Sequence, residues 1–172
     1  MSENMQKFIS QQEIAKKVQE IAREISSDYR GETPVLVGVL KGAVVFMSDL
    51  IRQLTISVEI DFMAVSSYGA STKTSGIVRI LKDLDQSIEG RDVLIIEDIV
   101  DTGLTLDYLR EVLEQRRPRS LKLAALLDKP ERREVEIEAN YLGFVIPDEF
   151  VVGYGLDYRE LYRNFADIYK LT

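Results

Sequence analysis

The sequence predicts an α/β fold with a doubly wound, mostly parallel sheet flanked by helices. Two observations carry this prediction. Short apolar runs typical of buried strands alternate with segments whose apolar residues recur at helical spacing. Each strand–helix unit takes about 30 residues, which favours parallel strands joined by right-handed crossovers. With 172 residues the chain suits one domain with a substantial core, so we expect a single domain over residues 1–172.

The elements follow one another in a regular order. A helix is expected over roughly 11–29, because Ile14, Val18 and Ile21 lie at helical spacing. The continuous apolar run 35–40 suits a strand buried on both faces. The remaining elements are helix 43–54, strand 58–66, strand 77–81, strand 93–96, helix 105–115, strand 121–127 and two strand-like pieces near 141–146 and 150–154.

Composition excludes several classes of chemistry. A net charge of −7 argues against a nucleic-acid partner, which would need a basic face. Without cysteine or histidine, thiol nucleophiles, His-containing triads and Cys- or His-ligated metals are excluded. Proton transfer then falls to Asp, Glu, Lys or Tyr, and a metal should be a hard, oxygen-ligated ion such as Mg²⁺. No signal-peptide core or membrane-length apolar run is present, so we expect a cytoplasmic protein without a membrane partner.

Two acidic residues follow the apolar run 93–96. Glu97 and Asp98 are expected beyond the carboxyl end of that strand, where ligands bind in open parallel sheets. Adjacent carboxylates can accept hydrogen bonds from vicinal hydroxyls, as on a ribose, or can ligate Mg²⁺.

A tight turn comes next and leads into a helix. Asp101, Thr102 and Gly103 form the turn, Leu104 begins the helix and Thr105 lies in its first turn. Backbone N–H groups and the positive end of the helix dipole favour a phosphate at such a place. The whole segment therefore predicts a site for a ribose 5-phosphate.

Plainer interpretations exist for parts of this segment. Asp101 or Thr102 could merely cap the helix, and the two acids could be a solvated strand end. The complete string from Glu97 to Thr105 is far more specific than Asp-Thr-Gly alone. A P-loop motif is absent, and Gly153-Tyr154-Gly155 lacks the third glycine of a dinucleotide fingerprint.

Residues 93–106 resemble the phosphoribosyl diphosphate (PRPP) motif of type I phosphoribosyltransferases, in the form used by the branch that acts on 6-oxopurines. The resemblance covers roughly 34–162 and implies a small hood subdomain formed by the N-terminal segment and roughly 130–172. Lys41 and Gly42 match the family's pyrophosphate loop, in which the Leu–Lys peptide is often cis. In isolation, Lys41 could simply extend from a strand end into solvent.

The polar segment 66–76 is similar to the family's lid. The resemblance implies that Ser67 and Tyr68 close over the pyrophosphate and exclude water from the reacting ribose. Its composition alone suits a flexible surface loop equally well.

Further residues carry over from the same resemblance. Lys129 would donate to O6 of the purine, and Arg133 would bind pyrophosphate. Tyr141 would stack on the base, Leu142 would bind the base edge through its backbone, and Asp148 would help to hold a second Mg²⁺. Each has a plainer alternative as a surface charge or as part of a small aromatic core.

The reaction implied is transfer of the 5-phosphoribosyl group from PRPP to N9 of hypoxanthine or guanine in purine salvage, with Mg²⁺ as cofactor. Asp101 is the candidate base, since no histidine is available. Two alternatives stay open: a PRPP-binding regulator on the same fold, and an enzyme for xanthine or another base. By analogy with relatives, we expect a homodimer or homotetramer.

Overall fold

The computed structural model describes residues 4–67 and 78–172, apart from the side chain of Ser67. A short 3-10 helix, Pro130–Arg132, follows the sixth strand. The helices and strands are, in chain order, β1 (Met5–Ile9), α1 (Gln11–Asp28), β2 (Val35–Leu40), α2 (Val44–Gln53), β3 (Glu59–Ser67), β4 (Val78–Lys82), β5 (Asp92–Val100), α3 (Leu104–Glu114), β6 (Ser120–Asp128), β7 (Tyr141–Val145), β8 (Val151–Val152) and β9 (Ile168–Leu171).

A six-stranded sheet forms the centre of the molecule, in the order β4-β3-β2-β5-β6-β7. The strands from β3 to β7 in this order are parallel, and β4 is antiparallel to β3. Helices α1 and α2 cover one face and α3 covers the other. The predicted α/β fold with a mostly parallel, doubly wound sheet is confirmed. Among the helices of the described residues, none is long and apolar enough to cross a membrane.

The central strands are buried on both faces because successive side chains point to opposite sides of a sheet. Leu36 and Leu94 join the hydrophobic cluster beneath α1 and α2. Val37 and Ile95 join the cluster on the other face, where Leu109 of α3 packs. This explains why the runs 35–40 and 93–96 are continuously apolar.

The register brings several strand ends to the same edge of the sheet. Strands β2 and β5 pair in parallel, and Val100 at the end of β5 lies opposite Asp128 at the end of β6. The backbone N–H of Lys129 donates to the carbonyl of Val100 at 2.9 Å. Lys41 directly follows β2 and therefore begins at this edge as well.

A second, three-stranded sheet combines the two ends of the described chain, in the order β1-β9-β8. Ser10 begins α1 with a capping box, in which its hydroxyl accepts from the N–H of Glu13 at 3.1 Å. Neither β1 nor β9 was predicted from the sequence, since each is short and pairs with a distant segment. Strand β7, although within 130–172, joins the central sheet, and the extent of a separate hood stays a prediction.

Candidate active site

Glu97 and Asp98 lie inside β5, whereas the sequence analysis expected them after the strand. Both are half-buried. The N–H of Asp98 donates to Oε1 of Glu97 at 3.0 Å, and the N–H of Ile99 donates to Oδ1 of Asp98 at 2.7 Å. Burial raises the pKa of Glu97 well above its usual range, and the negative charge of Asp98 raises it further. Burial and mutual repulsion thus make it costly for both carboxyl groups to be charged at once in the ligand-free protein.

The loop that contains Lys41 and Gly42, for which the resemblance implies pyrophosphate binding, lies against this pair. The Leu40–Lys41 peptide bond is cis, as the resemblance implies. A Cβ atom added at Gly42 would lie 1.9 Å from Oδ2 of Asp98. Only glycine fits at position 42, because the Asp98 carboxylate lies so close to its backbone. The loop after β2 and the acidic pair of β5 are therefore parts of one site.

Three charged residues that the sequence analysis missed complete this side of the site. Nζ of Lys41 lies 2.9 Å from Oε2 of Glu160, whose Oε1 lies 3.2 Å from the guanidinium of Arg163. Arg163 also pairs with Asp157 at 3.4 Å, between Nη2 and Oδ1. Burial raises the pKa of Asp98, and the nearby charge of Arg163 acts in the opposite direction.

No spacing in the sequence indicates this cluster. Glu160 and Lys41 are 119 positions apart, and the backbone brings them together. A Cβ atom at Gly155 would lie 2.3 Å from the carbonyl oxygen of Gly42, so the segment after β8 packs directly on the pyrophosphate loop. Nη1 of Arg163 donates to the carbonyl of Gly155 at 2.6 Å and fixes that approach.

The turn before α3 has the geometry expected of a phosphate site. Gly103 has a φ of +86°, a left-handed conformation that favours glycine. Its Cβ would lie 2.7 Å from Cγ2 of Ile137, so a side chain there would also clash. The hydroxyl of Thr102 accepts from the N–H of Leu104 at 3.3 Å. Asp101, Thr102, Leu104 and Thr105 each keep part of their surface exposed, which leaves this turn open to a ligand.

Lys129 lies where the sequence analysis expected it, directly after β6. It is 7% exposed, although lysine is rarely buried without a counter-charge. An ammonium at this edge offers hydrogen-bond donors and no acceptor. This arrangement suits a ligand that carries an acceptor, such as a carbonyl oxygen.

The structure does not support the roles predicted for Tyr141 and Leu142. Tyr141 is 3% exposed and packs in the core beneath α1, where its hydroxyl donates to Oδ2 of Asp28 at 2.6 Å. Burial raises its pKa, and the bond to Asp28 raises it further. Both residues lie at the amino end of β7, level with Ala124 and Ala125 in the middle of β6. They are therefore several residues away from the edge that carries Lys129.

The chain returns to that edge at the other end of β7. The N–H of Ile146 donates to the carbonyl of Asp128 at 2.8 Å. Asp148 and Phe150 follow, and the Phe150 ring is 50% exposed. Phe150 contacts Tyr158 edge to face, with ring centroids 5.7 Å apart. The ring of Phe150 is thus half-exposed near this edge, whereas the ring of Tyr141 is buried.

Two adjacent arginines face different ways. Arg133, the predicted pyrophosphate ligand, is 17% exposed and is engaged by the protein itself. Its guanidinium contacts the carboxylate of Asp128 and the carbonyls of Asp101 and Ile137. In the ligand-free protein Arg133 thus braces the turn, and its predicted contact with pyrophosphate stays a prediction. Nε of Arg132, by contrast, lies 2.6 Å from Oδ1 of Asp101.

The expected lid is only partly described. Ser67 ends β3, and Tyr68 lies outside the described residues. The closing role of both therefore stays a prediction.

The donor set at Glu97 and Asp98 fits a hard cation. Two adjacent carboxyl groups supply the oxygen ligands that Mg²⁺ prefers, and a bound cation would favour their charged forms. Within 4–67 and 78–172, no group of three or more acidic side chains could hold a metal by protein ligands alone. A cation at this pair would therefore take its remaining oxygen ligands from water or from a bound ligand, and Asp148 does not complete the same cluster.

Comparison with known proteins decides the family. The family description "Phosphoribosyl transferase domain" matches residues 5–159. The chain belongs to this family. The predicted resemblance to type I phosphoribosyltransferases is therefore confirmed, and Glu97 to Thr105 lie within the matched part of the chain.

Similar proteins point to one branch of the phosphoribosyltransferases. The hypoxanthine-guanine phosphoribosyltransferase of Bacillus subtilis (strain 168) is 56% identical over 161 residues, which are 94% of this chain and 89% of that protein. A crystal structure of a hypoxanthine phosphoribosyltransferase from Staphylococcus aureus has a TM-score of 0.94 at 51% identity, covering 97% of this chain and 91% of that one.

A longer relative is equally similar. The bifunctional protein TilS/HprT of Listeria monocytogenes serotype 4b (strain F2365) is 56% identical over 169 residues, or 98% of this chain. This chain spans 26% of the length of that bifunctional relative. The similarity to it therefore concerns one part of a larger protein.

Proposed function

We propose that this chain is a Mg²⁺-dependent phosphoribosyltransferase of purine salvage. It transfers the 5-phosphoribosyl group of PRPP to N9 of hypoxanthine or guanine, which yields IMP or GMP and pyrophosphate. One observation carries the proposal: the left-handed turn at Gly103 opens α3 three residues after β5 ends at Val100, and β5 itself holds the carboxylate of Asp98 against Gly42. The names of the B. subtilis and S. aureus relatives support the choice of substrates.

The ribose 5-phosphate is held from two sides. Backbone N–H groups of the turn 101–105 and the helix dipole of α3 bind the phosphate. Glu97 and Asp98 accept hydrogen bonds from the ribose hydroxyls. As the bond between C1′ and pyrophosphate breaks, positive charge develops on C1′ and the ring oxygen, and the nearby carboxylates stabilise it.

The pyrophosphate leaves toward the loop 41–42. Lys41 exchanges its ion pair with Glu160 for the pyrophosphate oxygens, and the lack of a side chain at Gly42 lets the backbone approach them. Mg²⁺, when bound at Glu97 and Asp98, supplies positive charge that neutralises the departing oxygens.

The base is recognised at the neighbouring strand end. Lys129 donates to O6 of hypoxanthine or guanine, and it has no acceptor for the amino group of adenine. The exposed ring of Phe150 offers a face on which the base can stack, whereas Tyr141 lies in the core. Asp101 accepts the proton that the purine loses as N9 forms its bond to C1′.

Two alternatives lead to different measurements. A PRPP-binding regulator would bind PRPP without releasing pyrophosphate. An enzyme for xanthine would need recognition at C2 of the purine, which Lys129 does not contact. The acidic net charge disfavours an RNA-binding regulator, and the oligomeric state stays a prediction.

The test is incubation of the protein with Mg²⁺ and PRPP and each of hypoxanthine, guanine, xanthine, adenine and uracil in turn, with pyrophosphate release measured. We expect release with hypoxanthine or guanine and far less with adenine and uracil. Binding of PRPP with no release for any base would favour the regulator. Release with xanthine alone would contradict the proposed substrates.

A further inference from the structure

Arg132 connects two parts of the site that are distant in sequence. Its Nε lies 2.6 Å from Oδ1 of Asp101, and its Nη1 lies 3.7 Å from Oδ1 of Asp148. The side chains of all three residues are 43–48% exposed, so the group faces solvent. One guanidinium thus lies between the proposed base and the segment that leads to Phe150.

The two oxygens of Asp101 have different surroundings. Oδ1 is shielded from solvent and lies beside Arg132, although the side chain as a whole is 43% exposed. Oδ2 is therefore the oxygen that remains open to a ligand. A carboxylate can serve two partners at once, because each oxygen has its own lone pairs.

The backbone of Asp101 is fixed by a separate contact. Nε of Arg133 donates to the carbonyl of Asp101 at 3.3 Å, and the rest of its guanidinium is bound by protein groups. Arg133 therefore holds the turn, while Arg132 holds only the carboxylate. The negative charge of Asp101 raises the pKa of Arg132, which agrees with a favourable ion pair.

We propose that Arg132 is a positioning residue for the reaction: it holds Asp101 through Oδ1 and directs Oδ2 toward the purine. Its second contact, with Asp148, links this orientation to the segment that presents Phe150 to the base. The proposal rests on the proposed function, in which Asp101 accepts the purine proton.

The shape of arginine suits this role. A planar guanidinium can contact two carboxylates in fixed directions, whereas a lysine ammonium is a compact charge that serves one direction well. Because both ion pairs are partly exposed, their loss should cost the folded protein little stability. Replacement of Arg132 should therefore lower kcat and leave the stability of the protein nearly unchanged.

The variants Arg132→Met and Arg132→Lys test the proposal. Steady-state kinetics with hypoxanthine, PRPP and Mg²⁺ should show kcat reduced about tenfold in Arg132→Met, a part of what a general base contributes, with KM for PRPP unchanged. Arg132→Lys should recover part of kcat. Arg52→Ala is the matched control, since Arg52 forms an exposed Arg–Asp ion pair with Asp49 on α2, and it should keep the parent kcat.

Three results would each overturn the proposal. The first is an unchanged kcat in Arg132→Met with the parent thermal stability. The second is a loss that appears only as a higher KM for PRPP, and the third is a loss of kcat that Arg132→Lys does not relieve. Asp101→Asn, measured in the same assay, distinguishes failure of the proposed role of Asp101 from failure of the proposed role of Arg132. If Asp101→Asn turns over normally, the proposed role of Asp101 fails; if Asp101→Asn is impaired and Arg132→Met is not, only the role of Arg132 fails.

Discussion

The backbone of Gly42 lies directly against the carboxylate of Asp98, since a Cβ atom at position 42 would fall 1.9 Å from Oδ2. This contact joins the loop after β2 to the acidic pair of β5. A side chain at position 42 would displace the Asp98 carboxylate. In the proposed function this contact sets the spacing between the ribose and pyrophosphate sites.

Gly42→Ala should therefore damage the site more than the fold. The added methyl group should displace Asp98 by about 1 Å, and a misplacement of that size can cost about 100-fold in kcat/KM for PRPP. Pyrophosphate release over a range of PRPP concentrations measures this loss of kcat/KM. Gly90→Ala is the control, because Gly90 has a strained φ of +72° but no atom within 4 Å of an added Cβ. Equal activity losses in the two variants would argue against the contact.

The raised pKa of Glu97 predicts a pH-dependent stability effect. The folded protein holds this proton more tightly than the unfolded chain, whose glutamates titrate near 4.5. The stability that Glu97 contributes is thus complete below pH 4.5 and is lost as the pH rises through the raised value. Glu97→Gln should then raise the melting temperature of the ligand-free protein at about pH 8, and change it little at about pH 4.

The control for this effect is Glu111→Gln, at an exposed position on α3. Its melting temperature should follow that of the parent across the same pH range. A constant difference between Glu97→Gln and the parent at every pH would show that the carboxyl group does not titrate abnormally. A stabilised but inactive Glu97→Gln is the outcome expected of a residue placed for ligand binding.

Much of the fold follows from local patterns. The predicted helix 11–29 corresponds to α1, and the run 35–40 corresponds to β2 residue for residue. Both elements can be recognised from a short stretch of sequence. Helix α1 shows the periodic spacing of its apolar residues, and β2 is an unbroken apolar run. Strands β1 and β9 were missed because their pairing, Met5 opposite Leu171, depends on residues at the two ends of the chain.

The arrangement of residues 97–105 was predictable because a single segment contains it. The predicted strand, turn and helix are present, although β5 extends through the two acids to Val100, and the ligand roles of these residues stay predictions. The residues proposed to contact the purine could not be chosen in this way, because their positions depend on contacts between distant segments. Tyr141 and Phe150 both suit stacking by type, and only the position of β7 separates a core residue from an exposed one.

Lys129→Met should weaken selection of the base. Methionine fills the same buried space but has no N–H, so O6 of hypoxanthine would lose its donor, at a cost of about 1–3 kcal/mol. We expect KM for hypoxanthine to rise about tenfold or more, while KM for PRPP stays the same. Lys122→Met, at the other end of the same strand, serves as the control. A normal KM for hypoxanthine in Lys129→Met would remove Lys129 from base recognition.

Phe150→Ala should impair binding of the base, whereas Tyr141→Phe should reduce stability and leave activity unchanged. Removing the half-exposed Phe150 ring should raise KM for hypoxanthine, because stacking on a base contributes about 1–3 kcal/mol. Removing the Tyr141 hydroxyl should cost about 1 kcal/mol of unfolding free energy through the lost bond to Asp28, with activity unchanged. Urea unfolding and hypoxanthine kinetics on both variants give the comparison. An activity loss in Tyr141→Phe alone would restore Tyr141 as the base contact.

The central claim is that the segment 97–105 holds the ribose 5-phosphate. Calorimetric titration of PRPP in the presence of Mg²⁺, into the parent and into the Glu97→Gln, Asp98→Asn double variant, tests it most directly. We predict saturable binding by the parent and affinity reduced at least about 100-fold in the folded double variant, since two charge-assisted contacts are lost. Equal affinities for parent and variant, or no binding by the parent, would contradict it.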